Sequence, residues 1–211
     1  MGALILTPMN YIIVGLGNPG MEYENTRHNA GRMVLETIGR MYGDIKSLEE
    51  DFDFDKKLNA HKMEVKIGKE KVTLLAPDTF MNLSGKSVAY LVKNVKSAGK
   101  LIVIYDDFNL PLGRIKVSWN RSSGGHNGLE SIIKAVKTEE FARVRVGTAP
   151  EKANGDAKTP HGDKVIEKFI LGKFKEAELK TLKKVSKTIG EAVEVLIKEG
   201  LGKAMSVYNT S

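Results

Sequence analysis

Five short β-branched apolar runs, at residues 11–16, 72–76, 101–105, 113–119 and 142–148, are separated by stretches whose apolar side chains recur at helical spacing. That alternation is the strongest constraint on the fold. Strands spaced by helical segments return to a common sheet through crossovers that lay helices on its faces. Val34, Ile38 and Met41 stand at i, i+4 and i+7, and Val88, Leu91, Val92 and Val95 repeat the pattern, as do Leu129, Ile132, Ile133 and Val136. The longest series runs through Leu179, Leu182, Val185, Ile189, Val193, Leu196 and Ile197 and stops at Gly200. A more polar strand at 61–67 pairs with 71–76 across the turn "GKE", which makes the sheet mixed. The expectation is α/β: a single domain with a twisted, mixed, partly parallel β-sheet flanked by helices. Residues 1–10 form a short N-terminal extension and 11–211 the domain. Residues 150–163, "PEKANGDAKTPHGD", read as a mobile surface loop, and the acidic stretch 44–57 as loop.

A chain of 211 residues with 41% hydrophobic side chains can bury one sizeable core, which fits one domain. The formal net charge of +7 fits either a polyanionic partner or a lysine-rich solvated surface. The absence of cysteine excludes disulfides and thiolate zinc sites. The opening "MGALILTPMN" lacks the basic region and cleavage pattern of a signal peptide, and no run reaches the roughly 18 apolar residues of a membrane span. A cytoplasmic protein is expected.

"GLGNPGMEYENTRHNAG" places Gly15, Gly17 and Gly20 in the spacing G-x-G-x-x-G directly after a strand. A dinucleotide loop offers backbone N–H groups to a pyrophosphate and opens into a helix. Here Pro19 deletes a donor, "MEYENTR" lacks helical apolar periodicity, and the acidic residue about 20 positions on is missing. The glycines read instead as turn residues supplying positive φ.

Polar residues gather in four loops that follow or flank strand ends: Asn18; Asn82 in "PDTFMNLSGKSV"; Asp106 and Asp107 after "LIVIY"; and His126 and Asn127 in "SSGGHNGL". Ligands of open α/β sheets bind beyond the carboxyl ends of strands. With no cysteine, no G-x-S-x-G elbow and no clustered metal-ligand spacing, the remaining chemistry is a histidine that takes a proton, a carboxylate that orients it, and carboxamides that donate to an oxyanion. Plainer readings stand beside these. His28 suits a helix start capped by Asn25 or Thr26, Asp106 a strand-ending turn, and Asn127 the cap of a helix starting at Gly128. His61 and His161 read as surface residues.

"FARVRVG" puts Arg143 and Arg145 on one strand face, and "GRIKVSW" does the same for Arg114, Lys116 and Ser118. With Arg121 in the glycine-rich loop "NRSSGGHNG", these residues could track a nucleic-acid backbone. Taken singly, each strand fits ordinary solvent-facing charge.

The ordered motifs "IVGLGNPGMEYENTRHNAG", "PDTFMNLSGKSV", "DDFNLPLGRIKV", "SSGGHNGLESI" and "FARVRVG", with the tail from "FILGKF" to "GLGKAMSVYN", resemble bacterial-type peptidyl-tRNA hydrolase. The resemblance implies a single phosphorylase/hydrolase-like α/β domain without cofactor or metal. That family hydrolyses the ester joining a peptide to tRNA, which recycles tRNA from aborted translation. Carried over, His28 is the catalytic base and Asp106 its orienting partner. Asn18, Tyr23, Met81, Asn82, His126 and Asn127 line the substrate cleft, and Arg145 belongs to a clamp on tRNA phosphate. The partner clamp residue, usually lysine, is Ser118 here, so Lys116 or Arg121 is left to replace it. The 150–163 loop is longer than the common form. The implied partner is peptidyl-tRNA, with no membrane, and the implied state is monomeric. The rival readings are a non-catalytic RNA-binding protein on the same scaffold and, more remotely, a nucleotide-cofactor oxidoreductase.

Overall fold

The computed structural model describes residues 10–209, so the expected extension lies, but for Asn10, outside the described residues. In chain order the elements are β1 (Tyr11–Gly15), α1 (Ala30–Gly43), α2 (Leu48–Asp51), β2 (Asp53–Asp55), β3 (Ala60–Ile67), β4 (Glu70–Pro77), α3 (Ser84–Ala89), α4 (Val95–Ala98), β5 (Leu101–Pro111), β6 (Ile115–Trp119), α5 (Asn127–Val136), β7 (Ala142–Ala149), α6 (Asp163–Ile170), α7 (Glu176–Glu199) and α8 (Leu201–Tyr208). They build one seven-stranded sheet in the order β2-β3-β4-β1-β5-β7-β6. β1 runs parallel to β4 and β5, and β5 parallel to β7, while β2, β3 and β6 join antiparallel to their neighbours. The hairpin at "GKE" forms as expected, with Ile67 opposite Glu70.

The central parallel strands are buried on both faces, as continuous apolar runs require. One face carries Ile13, Leu74, Ile102, Ile104, Val144 and Val146 against α1 and α7. The other carries Ile12, Val14, Leu75, Leu101 and Val103 against Leu129 and Ile132 of α5 and Val88 of α3. In α7, Leu182, Val185, Ile189, Val193, Leu196 and Ile197 are all buried, so its periodicity describes its packing.

Local chemistry overrides the sequence pattern at several points. The series Val88–Val95 is not one helix. Asn94 caps a new one: its Oδ1 accepts the Ser97 N–H at 2.9 Å while Ser97 Oγ accepts the Asn94 N–H at 3.0 Å, and Val95 is left exposed. The 44–57 stretch is not all loop. Ser47 Oγ accepts the Glu50 N–H to start α2, and β2 then pairs with β3. Met41 lies against Gly190 of α7 yet stays exposed. β5 continues to Pro111, so Asp106 and Asp107 sit within a strand rather than in a turn after it. At the sheet edge, Val117 of β6 turns its N–H and C=O outward, and the Asn209 carboxamide pairs with both, at 2.7 and 2.8 Å.

Candidate active site

His28 lies in a 3₁₀ turn, Arg27–Asn29, that feeds directly into α1. Gly31 lets that turn reach the sheet: a Cβ there would meet the Ile104 carbonyl oxygen at 2.3 Å. The Arg32 N–H bonds the Leu16 carbonyl at 3.0 Å, which ties the first turn of α1 to the end of β1. His28 is thereby set beside β5, where its Nδ1 lies 2.9 Å from Asp106 Oδ1. Both groups are buried, and neither Asn25 nor Thr26 caps the turn through its side chain.

A second imidazole meets the same oxygen, since His126 Nε2 lies 3.0 Å from Asp106 Oδ1. His126 Nδ1 accepts the Leu129 N–H at 3.2 Å, so His126, not Asn127, is the cap of α5. That bond requires an unprotonated Nδ1 and leaves the His126 proton on Nε2, facing Asp106. For His28 the hydrogen bond runs from Nδ1–H to the carboxylate, which leaves Nε2 with its lone pair free. Burial alone would lower the His28 pKa, but the charge and hydrogen bond of Asp106 more than reverse this and raise it above the ordinary histidine value. Burial likewise opposes ionisation of Asp106, and the two imidazoles overcome it, holding the carboxyl well below the usual range. His28, Asp106 and His126 are close enough together to ligate an ion. In this arrangement both rings aim at one carboxylate oxygen at hydrogen-bond distance.

The glycine loop is fastened from inside. Asn29 Oδ1 accepts the Asn18 N–H at 2.8 Å, and Asn29 Nδ2 donates to the Asn18 carbonyl at 2.9 Å. The Asn18 N–H is thus used within the protein and not offered to a pyrophosphate. Of the three fingerprint glycines only Gly20 has positive φ, which corrects the expectation for Gly15 and Gly17. Asn18 Oδ1 accepts the Met81 N–H at 2.7 Å, so its Nδ2 donor is the free end. Met81 is buried, while the adjacent Asn82 is exposed. Tyr23 packs edge-to-face on Phe80 with ring centroids 6.3 Å apart, and Asn127 is exposed at the first residue of α5.

Beyond His126 a cavity of about 220 Å³ is lined by Tyr105, Asp106, Ser118, Arg121, Ser123 and Arg145, among others. Asp107 pairs with Arg145 and aims its guanidinium. Ser118 Oγ is buried here without a partner. Arg143 does not share this surface, although it lies on the face of Arg145. Its guanidinium is fully buried, donates to the carbonyls of Glu139, Phe141 and Arg121, and stacks on Phe141 at 4.2 Å. It therefore anchors the Arg121 loop rather than a phosphate. Lys116 is the cross-strand neighbour of Arg145 but lines a different depression, with Arg114, Lys184 and Tyr208. His61 is half-buried, 3.9 Å from Asp78, and lines a depression shared with Asn18 and Asn29, whereas His161 is exposed. Sequence reasoning missed Asn29 as the fastener of the loop, His126 as the second donor to Asp106, and Asp107 as the partner of Arg145. His126 and Asp107 stood among the polar loop residues of the sequence, but nothing there indicated which groups they would meet.

The family model described as peptidyl-tRNA hydrolase matches residues 12–211. Among curated proteins, the peptidyl-tRNA hydrolase of Thermodesulfovibrio yellowstonii is 38% identical, over 94% of this chain and 98% of its own length. That of Citrifermentans bemidjiense is 41% identical, over 94% and 97%. The crystal structure of peptidyl-tRNA hydrolase from Acinetobacter baumannii superposes with a TM-score of 0.81 at 30% identity, covering 95% of each chain. With the fold, the length of the match and these relatives in agreement, the chain belongs to the peptidyl-tRNA hydrolase family.

Proposed function

We propose that the chain hydrolyses the ester bond between a peptide, or an N-blocked amino acid, and tRNA, with His28 as general base. The observation that carries this reading is the His28 Nδ1–Asp106 Oδ1 contact of 2.9 Å, which directs the free Nε2 lone pair away from the carboxylate. Nε2 takes a proton from water, the hydroxyl oxygen attacks the ester carbonyl, and Asp106 steadies the imidazolium that forms. The same proton then passes to the departing ribose oxygen. Asn18 Nδ2, with Asn82 and Asn127 at the rim, supplies neutral donors for the oxyanion and the peptide–ribose end. Tyr23, Met81 and His126 shape the cleft, and the cavity holding Arg145 and Arg121 receives tRNA phosphate. Arg121, which shares that cavity, replaces the missing clamp lysine better than Lys116 does. Residues 11–211 act as one catalytic domain, as a monomer in the cytoplasm and without a cofactor.

The test is release of N-acetyl-aminoacyl groups from tRNA by the purified protein, with free aminoacyl-tRNA as the resistant control. His28→Ala is expected to lose about 10²–10⁴-fold in turnover. Tight tRNA binding with no release by the wild-type chain would instead establish the non-catalytic RNA-binding reading.

A further inference from the structure

Arg27, the residue before His28, is buried and faces away from the Asp106 dyad. Its guanidinium lies over the ring of Phe169 at 4.6 Å and near that of Phe174 at 5.3 Å. Nη1 donates to the carbonyls of Gly172 and Lys173, both at 3.2 Å, and Nη2 to the two carboxylate oxygens of Glu178 at 3.2 and 3.1 Å. The backbone repeats the join, with the Arg27 N–H on the Gly172 carbonyl at 3.1 Å and the Phe174 N–H on the Asn25 carbonyl at 2.8 Å. Glu178 also accepts the Lys175 N–H at 2.6 Å, so the start of α7 is fixed through the same carboxylate.

Helix α6 depends on this join. None of its residues is buried, and Val165 is 56% exposed. Among the described residues, every hydrogen bond from 163–174 to distant parts of the chain ends on Asn25 or Arg27. The turn that aims His28 and the segment that seats α6 are therefore parts of one clasp.

We infer that Arg27 is a positioning residue: it holds the α6–α7 junction and the His28 turn in one register, so that the seating of α6 sets the alignment of the His28 ring on Asp106. The inference rests on His28 acting as the base. A guanidinium suits the task because its planar fork stacks on aromatic rings and spreads several donors at fixed angles, which an ammonium cannot do.

The test uses Arg27→Lys, which keeps the charge and loses the fork, and Glu178→Gln, which leaves Arg27 in place and weakens the pairing. Misalignment of a catalytic group by about 1 Å costs on the order of 100-fold, so Arg27→Lys is expected to lower kcat by about 10- to 100-fold while KM changes less. Glu178→Gln follows in the same direction by less. An NMR titration of the His28 ring needs no substrate and reads the coupling even if the proposed reaction is wrong. Its midpoint is expected to fall in both variants as the bond to Asp106 loosens. Folded variants with wild-type kcat and an unmoved His28 midpoint would overturn the inference. So would a loss of kcat with the midpoint unmoved, since Arg27 would then act by another route.

Discussion

Asp106→Asn isolates the charge of the dyad from its geometry. Both imidazole donors converge on Oδ1, at 2.9 and 3.0 Å, so an asparagine whose carbonyl oxygen takes that place keeps both hydrogen bonds and both tautomers. What disappears is the attraction between carboxylate and imidazolium. At 2.9 Å and an effective dielectric near 20, that attraction is about 6 kcal/mol for a full charge. With the proton about half transferred in the transition state, about 3 kcal/mol is lost, or roughly 10²-fold in rate; full transfer gives roughly 10⁴. The acid limb of the pH–rate profile moves as well. The base must be neutral, so the wild-type rate climbs as pH rises through a His28 midpoint set above about 6.5. Without the carboxylate, burial acts unopposed and the limb shifts to lower pH. The comparison therefore belongs on the alkaline plateau, because at acid pH the variant holds more of its base neutral and its deficit is understated. Single-turnover hydrolysis of N-acetyl-aminoacyl-tRNA across the pH range reads both effects. A plateau rate within about tenfold of wild type, with an unmoved acid limb, would refute the electrostatic role of Asp106.

Four further outcomes are expected. Asp106 has a depressed pKa, so its stabilisation is present above the unfolded value of about 3.9 and lost as pH falls. Chemical denaturation at descending pH should show this decline, and Asp106→Asn should flatten it. Arg121→Ala should reduce the salt dependence of tRNA binding by about one unit of log–log slope, more than Lys116→Ala does, as titrations at several ionic strengths would reveal. Gly31→Ala places a methyl 2.3 Å from the Ile104 carbonyl; it should cost about 1–3 kcal/mol in denaturant melts and lower kcat by displacing the His28 turn. Asn209→Ala leaves the Val117 N–H and C=O without their partner, and calorimetry should record a loss of about 1–3 kcal/mol.

Much of the layered fold was legible because each central strand is a short apolar run and α7 keeps one buried stripe through nearly its whole length. The helix break at Asn94 was not, since a side chain capping a backbone overrode an unbroken apolar series. β2 escaped because Asp53–Asp55 is an edge strand whose side chains are exposed or half-buried, so no alternation marks it. In the site, the pairing of His28 with Asp106 was implied by the family resemblance alone, and the two donors on one oxygen depend on a helix cap at His126 that spacing does not encode. Arg143 and Arg145 share a strand face and differ completely in use. Their periodicity is identical, and only the carbonyls around Arg143 and the carboxylate beside Arg145 separate them.

The pairing of Asn209 with Val117 carries a consequence for how the molecule meets copies of itself. β6 ends the sheet, and an open strand edge is a template on which another chain can lay a strand of its own. At Val117 that template is already read, donor and acceptor both, by one carboxamide. A foreign strand seeking this edge must first evict Asn209, and it finds no unbroken row of free backbone groups on which to nucleate. One side chain thus guards the sheet boundary on the strand that also carries Ser118, so the cavity beside it stays accessible without the edge becoming adhesive.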